Sequence, residues 1–129
     1  ATADLPGRFE VREIGGQTVV FDGAHNVEAS RHLIDELRRR GISNPTWVCA
    51  FMENHDPEPF LSELSALGGR LILTTAFVER AHKPGSINAA GFESAEVIKN
   101  QNEALAAALK KGGTVVVTGS FYLVGALRP

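Results

Sequence analysis

The chain has 129 residues, 43% of them hydrophobic and 22% charged, with a net charge of −2. That is the size and make-up of one globular domain, long enough to bury roughly two-thirds of its unfolded surface without disulfide or metal staples. The near-neutral balance gives no electrostatic footprint for a nucleic acid or an anionic membrane, so neither is expected as a partner.

The single cysteine, Cys49, lies in the apolar run 47–52 and reads as a small buried hydrophobe in a reducing compartment; a cytoplasmic location fits. No apolar stretch reaches the roughly 18 residues of a membrane span, and the N-terminus lacks the charged start and apolar core of a signal peptide. The turn-like Leu5-Pro6-Gly7-Arg8 suggests that residues 1–7 are an interdomain linker and that 8–129 form one domain.

Residues 9–14 alternate Phe, Val and Ile with Glu, Arg and Glu, a period-two pattern that predicts an edge strand with one buried and one wet face. Gly15-Gly16 supplies a hairpin turn into 18–21, a continuously apolar and β-branched strand of the kind covered on both faces. A helix is expected over 27–40, with Ala29, Leu33, Ile34 and Leu37 at helical spacing. Its closing Arg38-Arg39-Arg40 reads as last-turn cations complementing the helix dipole, with Gly41 as the stop.

Strands follow at 47–52, 71–75 and 114–118, the first two joined by a helix through Phe60, Leu61, Leu64 and Leu67. Residues 76–91 are polar and irregular, with one helical turn near Ile87, and 96–98 suggest a short edge strand. A helix over 103–111, capped by Asn102, and a final apolar helix over 121–127 complete the chain. A hairpin followed by alternating strands and helices predicts an α/β fold. It is Rossmann-like, three-layer αβα, with a mostly parallel sheet of about six strands and an N-terminal antiparallel edge hairpin.

In such sheets ligands bind outside the carboxyl ends of the strands. One strand end carries Asp22-Gly23-Ala24-His25-Asn26. Asp22 can accept two ribose hydroxyls, Gly23 admits close backbone approach, His25 can donate to phosphate or ribose oxygens, and Asn26 can cap a helix whose N-terminus favours an anion. Equally, Asp22 and Asn26 can simply cap the turn. A second end, Thr118-Gly119-Ser120-Phe121, offers a hydroxyl and helix-terminal amides to an anion, or an ordinary N-cap serine. A third, Glu79-Arg80-Ala81-His82-Lys83-Pro84, can grip an acidic substrate or carry solvated charges. Glu53, His55 and Asp56 make no recognised metal geometry, so no metal site is expected. His32 lies mid-helix, exposed or packed. There is no phosphate loop of the Gly-x-x-x-x-Gly-Lys-Ser/Thr type and no Gly-x-Gly-x-x-Gly, which leaves no visible means of holding β- and γ-phosphates with magnesium and argues against a Rossmann oxidoreductase.

Pro6-Gly7-Arg8-Phe9, the segment 20–26 and Val117-Thr118-Gly119-Ser120-Phe121 together resemble the C-terminal domain of folylpolyglutamate and dihydrofolate synthases of the Mur ligase superfamily. The resemblance implies an enzyme that couples ATP hydrolysis to amide formation between a folate carboxylate and L-glutamate through an acyl-phosphate. An N-terminal P-loop ATPase domain would supply the phosphate loop and most ligands of Mg, and this domain would close over ATP. By that resemblance Asp22, Gly23, His25 and Asn26 bind nucleotide, Ser120, Arg80 and Lys83 bind glutamate, and no residue is catalytic in isolation. The family usually carries Pro where Glu79 stands, and a Gly followed by Asp-Lys-Asp where this chain has Ala50 and Asn54-His55-Asp56. The acceptor (dihydropteroate, a folate or a polyglutamate tail) stays open. So do a Mur-type peptidoglycan ligase and a stand-alone nucleotide-binding or regulatory module.

Overall fold

The computed structural model describes residues 7–76 and 80–129. The expected linker therefore lies almost wholly outside the described residues, as does Glu79. Strands β1 (Glu10–Ile14) and β2 (Gln17–Phe21) form the antiparallel hairpin, turning through Gly15 and Gly16, both at positive φ. Then come α1 (Val27–Arg39), β3 (Thr46–Cys49), α2 (Pro57–Ser65), β4 (Arg70–Leu73), a 3-10 turn (Pro84–Ser86), β5 (Ala95–Val97), α3 (Gln101–Lys110), β6 (Val115–Thr118) and α4 (Phe121–Leu127). The sheet order is β1-β2-β6-β3-β4-β5, and every pairing except β1 with β2 is parallel. The α/β, three-layer reading holds.

Period two sorts each central strand between two cores. Val20, Trp47, Cys49, Leu71, Leu73 and Val116 face α1 and α2, where they meet Leu33, Leu37, Phe60, Leu61 and Leu64. Val19, Phe21, Val48, Ile72, Val115 and Val117 face α3 and α4, packing on Ala104, Ala108, Leu123 and Val124. Trp47 satisfies its indole by donating Nε1–H to the Gly68 carbonyl at 2.9 Å. Burial of Cys49 pushes its thiol well above the ordinary range, so it is an inert packing residue.

Two local expectations change. Asn100, not Asn102, caps α3: its side chain accepts from Glu103 N at 3.0 Å, and Asn102 sits inside the first turn. The simple in-out alternation of β1 also fails, because Glu10 is buried and Val11 is 40% exposed. Glu10 is buried because it is fully partnered. Its Oε1 accepts from Gly7 N at 3.0 Å and Arg128 Nε at 2.7 Å, and its Oε2 accepts from Arg12 Nε at 2.7 Å and Arg128 Nη2 at 3.0 Å. Each carboxylate oxygen thus takes two charge-assisted or backbone bonds, which fasten the start of the domain to its end.

Arg128 chiefly, with Gly7 N–H and Arg12 against the opposing effect of burial, lowers the Glu10 pKa to about 2. A depressed carboxylate stabilises the fold above its unfolded pKa, and that contribution fades as pH falls from about 4.5 towards 2. Glu10→Gln is expected to lower the melting temperature by about 5 °C at pH 7. Thermal unfolding of both proteins at pH 7 and pH 3 should show the gap narrowing at the lower pH.

Candidate functional site

Because β2, β6 and β3 run parallel side by side, their carboxyl ends open on one rim. There the turn after β2 is stitched to the turn after β6: Gly119 N donates to Ala24 O at 2.9 Å, and Thr118 Oγ1 donates to the same oxygen at 3.3 Å. The two polar turns that the sequence singled out are neighbours.

A cleft of about 640 Å³ opens beside them, walled by residues 7–9, the β2–α1 turn and one stripe of α1. Asp22, Gly23 and His25 line it, together with Phe9, Leu33, Arg40 and Phe121. Asp22 is half-buried, and both its oxygens already serve the backbone: Oδ1 accepts from Phe9 N at 2.9 Å and Oδ2 from Ala24 N at 3.1 Å. Burial raises its pKa from the ordinary value, opposed by these two N–H groups and by the charge of Arg8. Each oxygen keeps a second lone pair for a hydroxyl, so capping and ligand binding are compatible here. The space over Gly23 is filled by the Phe121 ring, which a Cβ at that position would strike. His25 donates Nδ1–H to Gly23 O at 3.0 Å and packs against Phe121 and His55, with ring centroids at 5.6 and 4.7 Å. Asn26 is the exposed N-cap of α1, its side chain accepting from Ala29 N at 2.8 Å.

Ser120 is the N-cap of α4, 2% exposed, with Oγ accepting from Tyr122 N at 3.1 Å and Leu123 N at 3.4 Å. Two of the α4 amides expected to greet an anion are thereby taken by the serine itself, and the hydroxyl proton is what Ser120 has left to offer. The loop after β4 lies along the end of β3. Glu53 N donates to Arg80 O at 2.7 Å, His82 N to Phe51 O at 2.6 Å, and Met52 bridges to Ala81. Arg80 and Lys83 are exposed on the same rim, but neither residue lines the cleft. Among the described residues no three His, Cys, Asp or Glu side chains gather to hold a metal. His32 is exposed and lines the cleft.

Sequence reasoning missed the cleft's other walls. Phe9 and Phe121 close motifs that it quoted, but it gave neither a role. Arg40, assigned to the helix dipole, lies over the Phe9 ring at 4.7 Å, held by Glu36 through Nε at 2.8 Å. The signal was present: Ala29, His32, Leu33, Glu36 and Arg40 recur at three- and four-residue steps along one stripe of α1.

Comparison with known proteins places this geometry in a family. Residues 7–121 match the Mur ligase, glutamate ligase domain, and the chain belongs to that family. It is 30% identical over 141 aligned positions to a probable dihydrofolate synthetase of Schizosaccharomyces pombe, covering 93% of this chain and 33% of that protein. A bifunctional folylpolyglutamate synthase/dihydrofolate synthase from Yersinia pestis, complexed with AMPPNP and Mn ion, superimposes with a TM-score of 0.85 at 25% identity over 98% of this chain and 31% of that one. A Thermotoga maritima folylpolyglutamate synthase gives a TM-score of 0.82 at 29% identity, over 96% and 30%. The chain therefore spans about a third of the length of these relatives.

The packing of Phe121 on Gly23 makes a direct prediction. Gly23→Ala should destabilise the domain by about 1–3 kcal/mol through overpacking. Most of that cost should vanish when Phe121→Ala is already present, so a double-mutant cycle by chemical denaturation should show strong non-additivity.

Proposed function

We propose that this chain is the C-terminal domain of a cytoplasmic, ATP-dependent folylpolyglutamate or dihydrofolate synthase, and that it closes over the nucleotide and helps to hold L-glutamate. The observation that carries the reading is the joining of the Asp22–His25 turn to the Ser120 turn at one mouth of a cleft large enough for a nucleoside. The named functions of the relatives support it. The Yersinia relative's complex with a nucleotide analogue and Mn supports nucleotide and divalent-metal use; in this reading the working ion is magnesium.

In this reading Asp22 accepts the ribose hydroxyls through its unused lone pairs, and His25 faces the phosphate side. Gly23 and Asn26 set the turn and start α1. Ser120, Arg80 and Lys83 serve the glutamate along the rest of the rim, where two cations suit a dicarboxylate. ATP supplies the phosphoryl group that activates the acceptor's carboxylate for attack by the glutamate amine. A preceding P-loop domain of the same chain grips the phosphates and magnesium. Closure of this domain excludes water from the activated carboxylate.

In the complete enzyme, Asp22→Asn is expected to raise the KM for ATP about tenfold while leaving kcat nearly unchanged, the signature of lost binding common to ground and transition states. Steady-state kinetics decide it, with a thermal melt to confirm folding, and an unchanged KM would reduce Asp22 to a backbone brace. This chain alone should give no glutamate ligation, and turnover by it would overturn the reading. Offering the complete enzyme dihydropteroate, folate and a polyglutamylated folate identifies the acceptor, and a preference for a UDP-muramoyl substrate would move the assignment to a peptidoglycan ligase.

A further inference from the structure

His25 is held from three sides. A carbonyl oxygen only accepts, so the 3.0 Å contact with Gly23 O places the proton on Nδ1 and leaves Nε2 as the acceptor of the neutral ring. On another side the ring tilts against Phe121 at 59°. On the third it meets His55 with centroids 4.7 Å apart and ring planes 86° apart, an edge contact. His55 comes from a different part of the rim. It follows β3, its backbone N donating to Met52 O at 3.1 Å, and it immediately precedes Asp56, the N-cap of α2. Since β6 lies between β2 and β3, the two imidazoles reach across one intervening strand to touch.

We propose that His55 is a positioning residue, whose ring acts as an aromatic wall fixing the orientation of His25 so that the Nδ1–H bond to Gly23 persists and Nε2 faces the nucleotide, accepting from a ribose hydroxyl when the ring is neutral and donating to a phosphate oxygen when it is protonated. The proposal rests on the reading of His25 as a nucleotide contact given above. Contact distance argues for a ring rather than a second cation, because two charged imidazoles this close repel in a partly desolvated site. A perpendicular ring pair, by contrast, is a favourable geometry for aromatic neighbours. Phe121 and His55 then form two sides of a slot, with the Gly23 carbonyl at its base.

The test uses this chain, with ADP as the probe, and two readouts: the side-chain nitrogen spectrum of His25 and the ADP affinity by calorimetry. In the unsubstituted protein His25 should show one tautomer, with the proton on Nδ1. His55→Ala should give mixed tautomers and about fivefold weaker ADP binding, the scale of one aromatic contact. His55→Phe, which keeps the ring and removes the nitrogen chemistry, should restore both readouts, and His55→Lys should restore neither. Rescue by lysine and not by phenylalanine would show that charge is what matters and overturn the proposal. So would a His55→Ala protein with unaltered His25 spectra. If His25→Ala leaves ADP affinity unchanged, the nucleotide role of His25 fails, while the His25 spectra of the His55 variants still decide whether His55 orients that ring.

Discussion

The position of β6 brings the two polar turns after β2 and β6 together. Val115, Val116 and Val117 pair with Val19, Val20 and Phe21 on one side, and residues 115–118 pair with 46–49 on the other. The last strand is therefore threaded between the second and third, in parallel with both. Turns from residues about a hundred positions apart in sequence meet at one rim because of it. The fit is close enough to restrict residue type. Gly119 sits at φ 103°, and a Cβ there would run into the Ala50 carbonyl oxygen. Only glycine combines that conformation with that clearance, so the glycine between Thr118 and Ser120 is required by the strand crossing whether or not a ligand ever approaches it.

The same rim is tied to the start of the domain through Asp22. Phe9 has φ 42°, a left-handed conformation unfavourable for an aromatic residue, and it is held there by its N–H bond to Asp22 Oδ1 and by Arg40 over its ring. Two residues earlier, Gly7 O accepts from Gly23 N at 2.7 Å, while Gly7 N is bound by Glu10. Residues 7–9 are thus fastened to the turn that carries Asp22 and His25, and through Glu10 and Arg128 to the far end of the chain. Under the proposed function this has a mechanical meaning. The side chain that takes the ribose also fixes the direction in which the backbone enters the domain, so nucleotide occupancy and the path of the preceding segment are settled by one carboxylate.

Most of the fold was legible in the sequence because its central strands are short, β-branched and apolar on both sides, and because glycine pairs mark the turns. The αβα layering, the edge hairpin and the final helix over residues 121–127 follow from that punctuation, whereas the adjacency of the two motif turns depends on the strand order. What was not legible depends on partners distant in sequence. Glu10 reads as the wet half of an alternating edge strand, and nothing local reveals that Arg128 will meet it, 118 residues away. The cap of α3 moved from Asn102 to Asn100 because both asparagines suit the role and only tertiary packing, which buries Gln101 and Ala104, chooses the register. In the site, Asp22 and His25 were visible through their spacing after an apolar strand. Phe9, Arg40 and Phe121 stood in quoted segments, but their place in the cleft was not legible, since an aromatic or arginine lining a cleft looks the same in sequence as one covering a core.

Under the proposed function, the hydrogen bonding of the helix termini bears on why such a cleft would serve as half of a site. A phosphate is commonly cradled by unsatisfied amides at a helix N-terminus. Here α1 gives Ala29 N to the Asn26 side chain, and α4 gives Tyr122 N and Leu123 N to Ser120. Part of the donor set that would wrap a polyphosphate is thus spent within the domain, whereas the acceptor capacity of Asp22 and one imidazole nitrogen of His25 remain. Under the proposed function, that inventory suits the sugar and one edge of the phosphates and leaves the rest of the grip to a facing surface. Phe121, 54% exposed at the start of α4, stands next to His25 and Gly23, and Tyr122, its neighbour in sequence, is 58% exposed. Under the proposed function, a domain closing on that side would bury both rings together with the nucleotide. The apolar area removed from water would then favour closure, and the water expelled from the cleft would be the water that threatens an activated carboxylate.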